Sequence, residues 1–206
     1  MAFNNKYKSL SEVITAYDLI FGRADFGFVK AHAAPEVLKE DIRFTLDNVA
    51  YEVSEAAICE NLIYPVLKAA WRPFASILSI WSHQSLGYDT ELSGIPDYVI
   101  SKRSERGVIV FEEPHIAVIE AKKDDFTAGW AQCGVEMVAI QKINQTIDIP
   151  VFGIVSNGET WEFAELSNNQ FTLFRQRFDI NELDILFAAL ISILERCKTH
   201  LTVQQK

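Results

Sequence analysis

Two stretches decide the predicted fold: residues 95–99 read IPDYV, and residues 116–123 read IAVIEAKK. The second stretch predicts a strand, because its unbroken apolar run suits a strand covered on both faces. Side chains alternate faces along a strand, so Glu120 and Lys122 are expected to point to the same side. Asp97 opens another strand-like run. Two carboxylates and one amine that converge would form a divalent-cation site suited to phosphodiester hydrolysis.

The length and composition indicate one globular domain, or one domain with an appendage. The chain has 206 residues, of which 49% are hydrophobic and 23% are charged, enough to build a core. No apolar run reaches about 18 residues, so no membrane span is expected. The start of the chain lacks the apolar segment of a secretory signal. The three cysteines form no CxxC pair, which favours buried thiols in a cytoplasmic protein.

The net charge of −9 argues mildly against a nucleic-acid partner. Proteins that hold a phosphate backbone usually gather Lys and Arg on one face. The net charge is only weak evidence, however, because the distribution of charges over the surface matters more than their total. Local basic clusters occur around residues 102–106, 122–123 and 175–177. A solvated mixture of surface charges explains most of these clusters equally well.

Apolar periodicity predicts both helices and strands, which indicates an α/β (α+β) fold class. Helices are predicted over residues 9–22, 35–46, 54–71, about 127–144 and 181–198. Strands are predicted over residues 97–101, 108–111, 116–122, 150–156, 161–166 and 171–174, and residues 77–81 fit a strand or a short helix. The strands 97–101 and 108–111 are expected to pair antiparallel through a basic turn. Asn157-Gly158 predicts a hairpin.

Glu55 is a third candidate acid. Ser54 can cap the helix that begins there, and the apolar stripe of this helix extends backwards to Glu55 rather than to Glu60. An acid at the head of a core-facing stripe needs a partner, a metal ion or a water-filled cleft. The alternative is a capping acid that interacts only with the helix dipole.

The order of these motifs resembles the PD-(D/E)XK nuclease superfamily. Its motif is matched by Pro96-Asp97 and Glu120-Ala121-Lys122, with an acid-bearing helix before them and a Gln-bearing helix after them.

Two further stretches, residues 54–67 and residues 152–161, are similar to segments of the nuclease domain of type I restriction subunits. The resemblance covers roughly residues 50–198 and implies a restriction-endonuclease-like core, in which helices flank a central mixed β-sheet. The expected organisation is a helical N-terminal extension over residues 1–50, a nuclease-like domain over residues 51–198 and a flexible tail over residues 199–206.

The resemblance implies a role for each candidate residue. Asp97 and Glu120 would ligate one or two Mg²⁺ ions, with Mn²⁺ as a substitute, and Glu55 would reach them directly or through water. Lys122 would orient or help to deprotonate the attacking water. Gln132 would correspond to a helix glutamine that some branches carry near the site.

The glutamine motif is only half present. Branches that carry the glutamine usually have Tyr four residues later, and Glu136 stands at that place in this sequence.

Two classes of function follow. The first is a Mg²⁺-dependent nuclease that cleaves DNA in restriction, repair or mobile-element processing. The alternative is a catalytically inactive module of the same fold that binds a protein or nucleic-acid partner, and a small-molecule phosphodiesterase is a more remote reading. The sequence does not decide whether the substrate is DNA or RNA, and it allows a homodimer or a partner subunit.

Overall fold

The computed structural model describes residues 6–27 and 30–203, without the side chains of residues 202 and 203. The strands are β1 (Ile20–Ala24), β2 (Leu78–Ser82), β3 (Leu86–Gly87), β4 (Ser93–Gly94), β5 (Tyr98–Lys102), β6 (Glu112–Ala121), β7 (Val151–Ser156), β8 (Thr160–Ser167) and β9 (Gln170–Asp179). The α-helices are α1 (Leu10–Ala16), α2 (Glu36–Asn48), α3 (Glu55–Ile58), α4 (Tyr64–Trp71), α5 (Phe126–Ile143) and α6 (Leu183–Val203). Short 3₁₀ turns occur at Tyr51–Val53, Arg72–Phe74 and Ile180–Glu182.

Within the described residues, seven strands form one mixed sheet in the order β1-β9-β8-β7-β6-β5-β2, and β3 pairs with β4 separately. Helices cover both faces of the seven-stranded sheet. One core holds apolar side chains of α2, α3, α4 and α6, and the other holds those of α1 and α5. The α+β class with a mixed, helix-flanked sheet is therefore as predicted.

The central strand β6 is buried on both faces, which explains its unbroken apolar sequence. Ile119 and Ala121 pack into the core on the α3 and α4 side, whereas Val118 packs with Val155 under α5. β6 runs antiparallel to β5 and parallel to β7, with α5 as the crossover between them. Because Glu120 and Lys122 share the side of Val118, they project from the α5 face of the sheet.

The first 50 residues contribute a strand as well as helices. The prediction of one helix over residues 9–22 is wrong beyond Ala16, because Asp18 adopts a left-handed backbone with φ of 51° and ends the helical path. The chain then enters β1, which pairs in parallel with β9 at the edge of the sheet. The N-terminal segment is thus not purely helical, since it completes the sheet.

The predicted helix over residues 54–71 contains a π-helical turn, Cys59–Ile63, between α3 and α4. The turn lies directly before Pro65, which lacks a backbone N–H and cannot take part in a regular helical ladder. The prediction that Pro65 would distort this helix agrees with that position.

Two other predictions about elements are wrong. Residues 108–111 are not a strand: Val108 and Ile109 lie exposed in a turn, and the neighbours of β5 are β2 and β6. The last helix also continues past residue 198 to Val203, with Leu201 buried, so residues 199–203 are not a tail. Residues 204–206 lie outside the described part of the chain.

The hairpin prediction is confirmed, since β7 and β8 pair antiparallel around Gly158, whose φ is 90°. The helices of the described residues include none that is long and apolar enough to cross a bilayer.

Candidate active site

The carboxyl end of β6 brings the two motif acids together. Asp97 directly precedes β5, and the pairing of Tyr98 with Ile119 sets Asp97 beside Glu120. The Oδ2 atom of Asp97 accepts a hydrogen bond of 2.7 Å from the backbone N–H of Ala121. This bond fixes one carboxylate oxygen against β6.

Lys122 follows directly after β6, where its backbone N–H donates to the carbonyl of Ser156. Its Nζ atom lies 3.0 Å from Oε1 of Glu120 and 3.7 Å from Oε1 of Glu55. Gly129 leaves room for this side chain, because a Cβ atom there would lie 2.9 Å from Cγ of Lys122. The amine is therefore held between two carboxylates beneath the first turns of α5.

Glu55 reaches the site from the first turn of α3. The hydroxyl of Ser54 caps this helix by accepting from the N–H of Ala57 at 3.1 Å. The hydroxyl of Tyr98 donates to the carbonyl of Cys59 at 3.3 Å and so ties the π-helical turn to β5. The Glu55 side chain is half exposed, unlike the buried apolar stripe below it. It therefore lies at the open end of the site.

Glu120 is the buried acid of the group. Its side chain is 3% exposed, and within the described residues its Oε2 atom has no hydrogen-bond partner. Burial, and then the charge of Asp97, raise the pKa of Glu120 to about 8. Burial also raises the pKa of Asp97, although the Ala121 N–H bond acts in the opposite direction. Both carboxyls therefore bind a proton more tightly than they would in water, unless a cation is close.

Lys122 responds in the opposite way. Burial alone would lower its pKa, but Glu120 and Glu55 outweigh burial, so the pKa of Lys122 lies above its usual value. The amine keeps its proton at neutral pH and supplies a fixed positive charge.

The residues fit a Mg²⁺ ion that is bound partly by the protein. Among the described residues, no group of three or more His, Cys, Asp or Glu side chains could hold a metal ion. Mg²⁺ does not need such a cage, since one or two carboxylates usually hold it while waters and substrate phosphates complete its shell. Asp97 and Glu120 supply two carboxylates, and the unpartnered Oε2 of Glu120 is an oxygen that a cation would satisfy.

Gln132 and Glu136 approach the site from α5. Gln132 Nε2 donates to Oε1 of Glu136 over a long 3.4 Å, whereas the Oε2 atom of Glu136 has no partner in the described residues. Burial, followed by the charge of Glu120, raises the pKa of Glu136 well above its usual range. Sequence reasoning noted Glu136 only as a departure from the Gln-Tyr pattern. An acid within the apolar run Gly134–Ile140 was the available signal.

We expect Glu136→Gln to be tolerated and Glu136→Leu to be destabilising. The raised pKa favours a neutral acid, which a neutral amide of the same shape can replace. Leucine instead removes the acceptor of Gln132, at a cost of about 1–3 kcal/mol in the free energy of unfolding. Urea denaturation at pH 7 in EDTA measures both changes. A loss in Glu136→Gln as large as that in Glu136→Leu would contradict the interpretation of Glu136 as a neutral acid.

His83 is a second residue that sequence reasoning did not place here. Its Nε2 atom lies 3.6 Å from Oδ1 of Asp97, and its backbone N–H donates to the Asp97 carbonyl. Its backbone φ of 51° is unusual for a residue other than glycine, and its Nδ1 atom lies 2.8 Å from the hydroxyl of Ser82. No spacing signal marked His83, because only the pairing of β2 with β5 brings it beside Asp97.

The comparisons with known proteins add no relative to this picture. No protein-family model matches the chain, and no curated protein matches it. The site is therefore defined by its own contacts: four side chains from three separate stretches of sequence that meet at one end of β6.

Proposed function

We propose that the chain is a metal-dependent nuclease with a restriction-endonuclease-like core, which hydrolyses phosphodiester bonds of DNA. One observation carries the proposal. Three separate stretches of sequence supply Glu55, Asp97 and the pair Glu120 and Lys122. In the fold, the Lys122 amine lies 3.0 Å from Glu120 and 3.7 Å from Glu55, and Asp97 is bonded to the same strand end. The resemblance to PD-(D/E)XK nucleases names the same four residues.

Asp97 and Glu120 would hold Mg²⁺, and Glu55 would reach it directly or through water. When bound, Mg²⁺ supplies positive charge against the phosphate and makes a nearby water more acidic. The chain's own residues prepare the site for this charge, since the buried Glu120 and the partly buried Asp97 both have raised pKa values that a cation would lower.

Lys122 orients the attacking water and balances charge on the phosphate. Its raised pKa keeps the proton on the amine, so it serves as a cation rather than as a base. In the reaction, the water oxygen forms a bond to phosphorus, and the bond from phosphorus to the leaving oxygen breaks. Glu55, half exposed beside the amine, is the carboxylate that can take the proton released by the water. Bulk water at the open end can protonate the leaving oxygen.

The direct test is cleavage of plasmid DNA and single-stranded DNA by the purified protein with Mg²⁺, Mn²⁺ or EDTA. The proposal expects cleavage with either metal and none with EDTA. RNA of matched sequence is tested alongside, because the site chemistry does not depend on the 2′-hydroxyl. Cleavage that persists in EDTA would contradict the proposed mechanism, as would intact DNA under all conditions.

A catalytically inactive module is the second candidate, and the net charge of −9 favours it, because proteins that hold a phosphate backbone usually carry an excess of Lys and Arg. Isothermal titration with Mn²⁺ separates the two. Binding that Asp97→Ala removes supports the nuclease, whereas no binding in the wild-type chain supports the module.

A further inference from the structure

We propose that a pocket beside the metal site holds one nucleotide of a single-stranded substrate, a few nucleotides away from the bond that is cut. This inference rests on the proposed nuclease function. The pocket has a volume of about 510 Å³ and lies between α1, the start of α5 and strands β9 and β1. We call it the arginine pocket, and its principal side chains are those of Phe21, Arg23, Phe126, Trp130, Arg175 and Arg177.

Strand register connects the arginine pocket to the candidate active site. Glu120 of β6 pairs with Val155 of β7, which pairs with Glu162 of β8, which pairs with Arg177 of β9. Three strand spacings separate Glu120 from Arg177, a distance of about 14 Å along one row of the sheet. A polynucleotide bound at Glu120 can span this distance with a few nucleotides.

Arg177 offers a fork for a phosphate. Its Nε atom lies 2.6 Å from Oε1 of the buried Glu162, which also accepts from the indole N–H of Trp130. The Arg177 side chain is nevertheless 72% exposed, so its terminal N–H groups face the solvent. An arginine oriented by a buried carboxylate, with its outer edge free, is a suitable group for bidentate contact with a phosphate.

Two further arginines surround the opening. Arg175 makes a long contact of 3.4 Å with the exposed Asp25. The Arg23 side chain is exposed on β1 and makes no hydrogen bond or ion pair among the described residues. Of the three arginines, therefore, only Arg177 is anchored to a buried acid. The others can contact an anion without leaving a buried charge behind.

Aromatic surface accompanies the positive charge. Phe21 is 44% exposed and packs against Phe171 with ring centroids 6.5 Å apart and planes 21° apart, which steadies it as a platform. Phe126 lines the same pocket at the first turn of α5. Bases stack on such rings without sequence preference, and arginine adds attraction for the backbone. Only an unpaired base can enter a recess of this kind, so the combination favours a single strand over a duplex.

The test measures binding in EDTA by fluorescence anisotropy, with labelled oligothymidylate of about 12 nucleotides, a length within the range of single-strand sites. Arg23→Gln and Phe21→Ala are each expected to weaken binding at least about fivefold. In Arg23→Gln, the slope of log affinity against log salt should also become shallower by about 0.7, the value for one lost phosphate contact on a single strand. Arg43→Gln is the matched control, because α2 packs on the opposite face of the sheet.

Several outcomes would overturn the inference. Unchanged affinity and salt slope in both variants would do so, and so would equal binding of duplex DNA or of a polyglutamate competitor. Thymidine monophosphate that binds as tightly as the oligonucleotide would identify a site for free nucleotides instead. Because the binding assay needs no metal, it tests the arginine pocket independently of the proposed nuclease activity. If oligonucleotide binding depends on Arg23 but the wild-type protein does not cleave DNA, only the nuclease proposal is rejected. If the wild-type protein cleaves DNA but binding does not depend on Arg23, only the pocket proposal is rejected.

Discussion

Glu120→Gln is expected to lower the rate of DNA cleavage by at least about a thousandfold, because it removes the negative charge of a proposed Mg²⁺ ligand. Asp97→Asn and Lys122→Met should have effects of similar size. Asp97 and Glu120 are the two carboxylates at the end of β6, and Lys122 is the amine that contacts Glu120. Initial rates on single-stranded DNA with saturating Mg²⁺ measure the change.

Glu60→Gln is the matched control for this loss, since Glu60 is an exposed acid of the π-helical turn that continues from α3. It should keep the wild-type rate. Far-ultraviolet circular dichroism must show the same helix and strand content in every variant. A folded Glu120→Gln protein that cleaves at the wild-type rate would remove Glu120 from the active site.

The second large effect concerns pH and the metal-free protein. In EDTA, the free energy of unfolding should fall by about 2 kcal/mol as the pH rises from about 6.5 to 8. The folded pKa of Glu120 is raised to about 8, so in this window the folded state holds a proton that the unfolded state has released. The stabilisation is complete below the unfolded pKa and is lost as pH rises through 8. Asp97 and Glu136 have raised pKa values and act in the same direction.

The pH range from 6.5 to 8 largely avoids the titration of a histidine that changes the free energy of unfolding in the opposite direction. Burial lowers the pKa of His115 to about 4, so folding gains stability from His115 mainly as the pH rises from about 4 to 6.5, and little further above 6.5. Urea denaturation at several pH values measures the slope. Glu120→Gln should flatten it and be more stable than the wild type at pH 8, whereas Glu60→Gln should leave it unchanged. Equal slopes in wild type and Glu120→Gln would contradict the raised pKa of Glu120.

Addition of Mg²⁺ gives an independent check on the same acid pair. Because a cation that binds only the folded state stabilises it by mass action, the melting temperature at pH 8 should rise in the wild type and not in Asp97→Ala. We expect Glu120 to be protonated without metal and ionised when Mg²⁺ is bound. The rise in melting temperature on addition of Mg²⁺ should therefore be larger at pH 8 than at pH 6.

The sequence by itself determined the elements whose pattern is local. An unbroken apolar run followed by Glu-Ala-Lys predicted the buried strand β6 and the shared face of Glu120 and Lys122. Ser54 identified the start of α3, and Asn157-Gly158 identified the β7–β8 hairpin. These predictions succeeded because side-chain alternation, helix capping and positive-φ turns depend on only a few neighbouring residues.

The tertiary structure decided what depends on partners distant in sequence. β1 is a strand because β9 offers it an edge to pair with, and residues 108–111 are not one because β2 and β6 already flank β5. In the same way, only packing brings His83 beside Asp97 and Glu136 close to Glu120. Strand pairing and contacts between distant side chains arise from residues that meet only after the chain has folded, so a local pattern does not specify them.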